Sequence, residues 1–140
     1  MVTLIGCDRQ INRPDDKVIE EFIRNNDIHV VELVKYKQYT AIAYKNESEA
    51  GLFLDQTGNG RFSKHWVNVE KERPVKRFLG GFSDKYLIEF IVDKEIADRI
   101  YSYKTSLGPF KKEPNQRCFV FPTGSGGIQY FDQTNNPIQF

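Results

Sequence analysis

The sequence predicts an α+β fold dominated by antiparallel strands, and three observations lead to this prediction. A helical period in residues 17–26 changes at Ile28 to an alternation of apolar and polar positions with a period of 2. The alternating segments are rich in β-branched and aromatic residues, and hairpin-sized connections join them. Shorter apolar segments separated by glycine-rich turns follow, which is typical of a small sandwich-like unit.

The first predicted element is an amphipathic helix that begins at Asp15 or Asp16 and ends near Asn26. An acidic residue at the start complements the helix dipole, and the polar run 25–27 ends the helix. The apolar side chains share one face: Val18, Ile19, Phe22 and Ile23. A single apolar face predicts that the helix packs against a sheet.

Four strands are predicted after the helix, at residues 28–34, 38–44, 50–55 and 61–70. Because the connections are short, we expect neighbouring strands to pair in an antiparallel meander beneath the helix. Trp66 is expected to close the core of this unit.

Residues 71–84 contain a proline, two glycines and clustered charges, so they are predicted to be a linker between two units. The predicted organisation is an anchor remnant and tether at 1–16, a helix-plus-meander unit at 17–70, the linker, and a β-rich unit at 85–140. In the last unit, residues 93–100 are either helical, with Ile96 and Ile100 facing inward, or a turn leading into a strand at 98–103. Further strands are predicted at 86–92, 117–121 and 128–132.

Residues 4–7 (LIGC) resemble a bacterial lipoprotein box. In such a box, a small residue lets the signal peptidase approach the backbone, and the cysteine thiol accepts a diacylglyceryl group; Gly6 and Cys7 meet these requirements. A signal segment also needs a charged start and an apolar run of about 7–15 residues, so residues 1–6 are interpreted as the end of a longer segment. The alternative is that residues 2–6 form a first strand and Cys7 is a small buried hydrophobic residue.

Most of the chain from residue 4 onwards resembles small uncharacterised lipoproteins of Gram-positive bacteria. The similar segments are residues 39–44 (YTAIAY), 51–54 (GLFL), the turn 58–62 (GNGRF), 92–100 (VDKEIADRI) and the closing run 126–138. The resemblance implies a protein anchored by lipid to the extracellular face of the membrane, with no catalytic residue or cofactor known for the family. Its expected function is non-enzymatic binding of a protein or an envelope polymer, with the ligand unknown.

A second resemblance suggests an enzyme. Residues 126–130 (GGIQY) resemble the Gly-Gly-x-Gln-Tyr signature near the end of NAD-glycohydrolase toxin domains. The residues that correspond to the toxin motifs occur in the same order here: Arg61 in a Gly-Arg-Phe, Arg77, Tyr86 and Gln129. This resemblance implies that the two arginines hold the pyrophosphate of NAD, the substrate, and that Gln129 positions the ribose or the attacking water.

Composition limits the remaining possibilities. The formal net charge is only +1, which argues against a dedicated nucleic-acid binder. A basic segment of six residues is interpreted first as a solvated boundary strand, and alternatively as a contact for an anionic polymer, lipid headgroups or nucleic acid: Arg61, Lys64, Lys71, Arg73, Lys76 and Arg77. The sequence contains no run of about 20 apolar residues, which a membrane-spanning helix would need.

The cysteines and histidines form no recognisable site. Two cysteines are too few for a disulfide scaffold, so lipidation of Cys7 would leave Cys118 as a single thiol. His29 and His65 belong to no metal-binding or catalytic motif and are expected at or near the surface.

Overall fold

The computed structural model describes residues 16–124 and 126–140, so Cys7 and the predicted anchor and tether lie outside the described residues, except Asp16. The α+β class is confirmed. The helices are α1 (Asp16–Asn25) and α2 (Lys94–Arg99). The strands are β1 (Val30–Tyr36), β2 (Tyr39–Lys45), β3 (Glu49–Asp55), β4 (Ser63–Asn68), β5 (Arg77–Gly81), β6 (Tyr86–Ile91), β7 (Ser102–Thr105), β8 (Gly108–Lys111), β9 (Cys118–Pro122) and β10 (Gln129–Phe131). In the described part of the chain, neither helix has the length and apolar character needed to cross a bilayer.

The first sheet is the predicted meander, with antiparallel order β1-β2-β3-β4. Successive side chains of a strand point to opposite faces, and α1 covers one face of this sheet. Ile19 is buried there, and the Phe22 ring lies 5.3 Å from Phe53 and 4.5 Å from Phe62. The predicted packing of an amphipathic helix on the sheet is therefore confirmed.

The opposite face of the first sheet packs against a second antiparallel sheet, of order β5-β6-β9. Their shared core takes small and branched residues from β2 and β3 and larger ones from the second sheet: Ala41, Ala43, Ala50, Leu52, Leu54, Phe82, Ile88, Phe90, Val92 and Cys118. One hydrophobic core thus draws on residues from both sides of the predicted linker.

The structure differs from the sequence prediction in the segment 71–84. Residues 77–81 form β5, and Phe82 directly after them is fully buried. The sequence did not predict this strand because it contains Gly80, and glycine normally weakens a strand. In the fold, however, a Cβ at Gly80 would lie 2.9 Å from Leu52 Cδ1, so glycine lets the two sheets approach without displacing that side chain.

The helical alternative for residues 93–100 is the observed one. Asp93 caps α2 by accepting a hydrogen bond from the Ile96 backbone N–H at 3.2 Å, and Ile96 and Ile100 are buried as expected. A third sheet, of order β10-β7-β8, follows. It shares a second core cluster with α2 and the second sheet: Ile91, Ile96, Ala97, Ile100, Phe119, Tyr130 and Ile138.

The prediction that Trp66 closes the core is wrong. Trp66 is 49% exposed on β4, a strand at the edge of the first sheet whose residues are all exposed. Trp66 pairs with Gly51 in the register and so lies on the same face of the sheet as Phe53. The helix α1 contacts this face at Phe53, through Phe22, and leaves Trp66 exposed. A Cβ at Gly51 would lie 2.1 Å from the His65 carbonyl oxygen, so glycine permits the close β3–β4 approach here.

Candidate functional site

The four residues suggested by the toxin resemblance do not converge in the structure. Arg77 and Gln129 line one small cavity of about 160 Å³. Arg77 pairs with Ile91 in the register, whereas Tyr86 begins β6 at the opposite end of that strand, roughly 16 Å away along five residues. Arg61 lies in the loop between β3 and β4 and, like Tyr86, does not line the cavity.

Arg77, whose side chain is 41% exposed, forms an ion pair with the buried carboxylate of Glu89. Its Nε and Nη2 donate hydrogen bonds to the two carboxylate oxygens of Glu89 at 2.9 and 2.8 Å, and the Tyr130 hydroxyl donates to Glu89 Oε1 at 2.6 Å. The guanidinium carbon lies 4.1 Å from the centre of the Phe140 ring. The paired donors that would bind a pyrophosphate are therefore already engaged by a carboxylate.

Tyr130 is the neutral member of this network. Burial, followed by the adjacent charge of Glu89, raises the pKa of the Tyr130 hydroxyl far above its ordinary value. The hydroxyl therefore stays protonated and acts as a hydrogen-bond donor to the carboxylate. This arrangement stabilises the junction of β5, β6 and β10 and offers no free acid or base.

Tyr86 belongs to a different contact. Its hydroxyl accepts a hydrogen bond from Lys37 Nζ at 2.8 Å, which lowers the pKa of Tyr86, and its ring packs edge-to-face on Tyr36 at 5.0 Å. The contact attaches the tip of the β1–β2 hairpin to the second sheet. Its observed role is the packing of one sheet on the other.

The cysteine and histidine side chains of the described residues differ in their exposure. Cys118 is a buried free thiol, and burial raises its pKa above the ordinary value, which disfavours the reactive thiolate. His29 and His65 are both exposed, and His65 Nε2 lies 2.9 Å from Ser63 Oγ. Within residues 16–124 and 126–140, no group of three or more His, Cys, Asp or Glu side chains could hold a metal ion.

A broad groove of about 810 Å³ lies where three sheets present their outer strands, and we call it the strand-edge groove. Residues 32–36 of β1 form one wall, and residues of β8 and β9 form the other. Each of these three strands is the outermost strand of its sheet within the described residues. Leu33, Leu107 and Phe110 bring exposed apolar side chains to the groove, with Leu107 exposed by 63%.

Glu32 joins two walls of the strand-edge groove. Its Oε1 accepts hydrogen bonds from the backbone N–H groups of Arg117 at 2.9 Å and Cys118 at 2.7 Å, across more than 80 residues of sequence. Lys35, on the same strand, forms an ion pair with Asp16 of α1. The apolar residues Leu33, Leu107 and Phe110 take part in neither contact. The sequence could not predict these contacts, because they join segments that are distant in the chain and are brought together only by the packing of the sheets.

A second opening, the basic cleft, has a volume of about 980 Å³. It lies at the end of the first sheet where β1 begins and β2 turns into β3. The described residues that line it are His29, Lys45, Asn46, Glu47, Val69 and Lys71. In the part of the chain that the structure describes, neither lysine forms an ion pair.

Comparison with known proteins found no match: no family model fits the chain, and no curated protein or solved structure is significantly similar to it.

Proposed function

We propose that this chain is the folded part of a lipid-anchored envelope protein that works as a non-enzymatic binding module. The observation that carries the proposal is the LIGC motif at residues 4–7, with Cys7 as the acylated residue. Each buried CH₂ of an attached lipid contributes about 0.8 kcal/mol, so two acyl chains would hold the domain stably at a membrane.

The described geometry supports binding better than catalysis. Arg77 is engaged by Glu89, Tyr86 is engaged by Lys37, and Cys118 is buried. An acid-base or nucleophilic mechanism needs a reactive group with a partner in reach of a substrate. Arg77, Tyr86 and Cys118 instead serve packing contacts in three separate places.

The strand-edge groove is the surface that best fits a protein partner. Every second residue of an outer strand directs its N–H and C=O groups away from the sheet, so β1 can pair with an added strand. The exposed Leu33, Leu107 and Phe110 supply apolar contacts for alternate side chains of that strand. We therefore assign an extended polypeptide segment to this groove.

The anchor is tested by intact mass. The chain is expressed with its native upstream residues in a Gram-positive host, extracted from the membrane and weighed. We expect a lipid adduct that disappears in Cys7→Ala and persists in the control Cys118→Ala. A soluble product with an unmodified Cys7 would overturn the anchoring proposal.

The groove is tested with a synthetic seven-residue peptide that alternates valine and threonine. Pairing with β1 should slow amide hydrogen exchange at alternate residues of β1 when the peptide is added. Leu107→Lys should weaken binding, whereas Leu79→Lys should not, because Leu79 is a similarly exposed leucine on β5 away from the groove. Equal effects of the two variants, or protection elsewhere than β1, would remove the groove from the proposal.

The NAD-glycohydrolase activity is the second candidate, because Arg77 and Gln129 do line the same cavity. It predicts that the purified protein hydrolyses NAD⁺ and that Gln129→Ala abolishes the activity. Because Gln129 is exposed, this substitution should leave the fold intact. No hydrolysis by the wild-type protein, or unchanged hydrolysis in the variant, would exclude the candidate.

A further inference from the structure

We infer that the basic cleft binds the phosphate groups of an anionic phosphodiester polymer. The binding chemistry stands on the cleft alone, and only the expectation that the polymer belongs to the cell envelope rests on the proposed function. The cleft is separate from the strand-edge groove and from the Arg77–Glu89–Tyr130 network, and it shares no lining residue with either.

The charge of the cleft favours an anion. Lys45 and Lys71 both face it without an ion-pair partner in residues 16–124 and 126–140, and among the described residues that line it Glu47 is the only acidic one. His29 and the Asn46 side-chain amide add N–H groups that can donate to phosphate oxygens. Two free ammonium groups and neutral donors around one opening are the groups that a phosphate diester needs.

The cleft is held in shape by backbone hydrogen bonds before any ligand arrives. The Lys45 N–H donates to the His29 carbonyl at 3.3 Å, and the Val69 N–H donates to the Ser48 carbonyl at 2.8 Å. Asn46 Oδ1 accepts from the backbone N–H groups of Ser48 and Glu49 at 2.9 and 2.8 Å, which closes the β2–β3 turn. A preformed site loses less conformational entropy on binding than a flexible one.

Lys71 is positioned by a tight turn of its own. The Arg73 N–H donates to the Glu70 carbonyl at 3.2 Å, and these two residues form an isolated bridge with Lys71 between them. The lysine thus projects from a fixed backbone beside Val69, which packs against the core. Lys45 and Lys71 come from distant parts of the sequence, yet both positions are set by main-chain contacts.

An adjoining opening of about 440 Å³ limits where an anion can bind. It shares Lys45, Val69 and Lys71 with the basic cleft, and it adds one lysine and three acidic residues: Lys94, Glu70, Asp93 and Glu95. The acidic groups disfavour phosphate at that end. A phosphate is therefore directed to the His29 side of the two lysines.

The test uses a soluble poly(glycerol phosphate) oligomer as the probe and measures its affinity by calorimetry and by amide chemical shifts. We expect the shifts to centre on residues 45–47 and 69–71 and the affinity to fall with added salt. Because Lys45 and Lys71 are exposed, each contact with phosphate is weakened by solvent, and the double variant Lys45→Ala/Lys71→Ala should bind about tenfold more weakly.

The matched control is the double variant Lys85→Ala/Lys104→Ala, which removes the same charge from two exposed lysines that do not line the cleft. It should keep its affinity. Equal losses in both double variants would mean attraction to net charge only, and equal binding of phosphate-free polyglycerol would mean that phosphate is not recognised. Binding to phosphatidylglycerol vesicles without binding to the soluble oligomer would assign the lysines to the bilayer. Each of these three results would overturn the inference.

The anchor and the cleft can fail independently. Polymer binding that requires Lys45 and Lys71, together with an unmodified Cys7, would refute only the anchoring proposal. A lipidated Cys7 in a protein that does not bind the oligomer would refute only the inference about the cleft.

Discussion

Two clusters in this protein use the same three kinds of side chain in different surroundings. In the buried cluster, Glu89 accepts hydrogen bonds from Tyr130 and Arg77. In the surface cluster, Glu49 Oε1 lies 3.0 Å from the Tyr44 hydroxyl, its donor, and 2.8 Å from Lys64 Nζ. The two clusters are called buried and surface for their carboxylates, because the Glu89 side chain is 4% exposed and the Glu49 side chain 24%. The two tyrosines are both 3% exposed, and the cations are similarly exposed, at 41% for Arg77 and 38% for Lys64.

The comparison indicates that the burial of the carboxylate decides how much a tyrosine, a carboxylate and a cation contribute to the stability of the fold. Glu89 has lost its water, so it depends on the planar two-point contact with Arg77 and on Tyr130. Glu49 keeps access to water, and Lys64 also lies 4.7 Å from the Trp66 ring centre and can redistribute its contacts. Loss of one partner should therefore be costly in the buried cluster and minor at the surface.

The largest effect is expected from Arg77→Met, which leaves the carboxylate of Glu89 buried without its cation. Breaking a fully buried ion pair costs about 3–5 kcal/mol, and because Arg77 is 41% exposed we expect a loss of about 2–3 kcal/mol in the free energy of unfolding, measured by urea denaturation. The triple variant Arg77→Met/Glu89→Leu/Tyr130→Phe should recover most of the loss, because neither an unpaired charge nor an unpaired Tyr130 hydroxyl remains. A single variant as stable as the wild type would refute the assigned importance of the buried network.

Gly51→Ala should be the next most damaging change, and it tests the backbone beneath the surface cluster. Gly51 lies directly between Tyr44 and Trp66 in the register, and a Cβ there would collide with the backbone of β4. We expect a loss of about 2 kcal/mol in thermal or denaturant unfolding.

The control for Gly51 is Gly81→Ala, because a Cβ at Gly81 meets nothing within 4 Å. Its stability should stay within about 0.5 kcal/mol of the wild type. If both glycine variants lost the same stability, the loss would reflect a general glycine effect instead of the β3–β4 approach.

Tyr130→Phe should cost about 1–1.5 kcal/mol, since Glu89 would keep Arg77 but lose one buried donor. The raised pKa of Tyr130 also predicts a pH effect. In the unfolded chain a tyrosine loses its proton near pH 10, whereas the folded protein keeps it, so stability should fall as the pH rises above about 10. The fall should be shallower in Tyr130→Phe, and parallel curves for the two proteins would contradict this account.

Glu49→Gln should give the smallest effect on stability. The hydrogen bond from Lys64 lowers the pKa of Glu49, so its contribution is present above the unfolded value of about 4.3 and is lost as the pH falls through the lower folded value. The wild-type melting temperature should therefore decline slightly more than that of Glu49→Gln between pH 6 and pH 3. A large difference at pH 7 would mean that the surface cluster resembles the buried one.

Much of the fold was predictable because local patterns carry it. The apolar face of residues 18–23 predicted α1, and alternation with short connections predicted the meander, with the ends of all four strands within about two residues. Residues 77–81 escaped prediction because Gly80 serves a contact with Leu52 that is distant in sequence. Trp66 was misplaced because alternation identifies the two faces of a strand but not which part of a face is covered.

The candidate sites were less predictable than the fold. Order along the chain suggested that Arg61, Arg77, Tyr86 and Gln129 act together, but the length of the β5–β6 hairpin separates Tyr86 from Arg77. The sequence did not predict the roles of three further residues: Glu32, Glu89 and Lys45. A carboxylate or a lysine in a strand gives the same sequence pattern whether its side chain contacts solvent, a backbone group or an opposite charge.

The sequence by itself determined the α+β class, the helix and the four-stranded meander, and it provides the LIGC motif on which the anchoring proposal rests. These features depend on residues that are neighbours in the chain. Only the tertiary structure decided that Glu89 is buried with Arg77 and Tyr130, that three outer strands border one groove, and that Lys45 and Lys71 share a cleft. Such features depend on the packing of distant segments, which local periodicity does not encode.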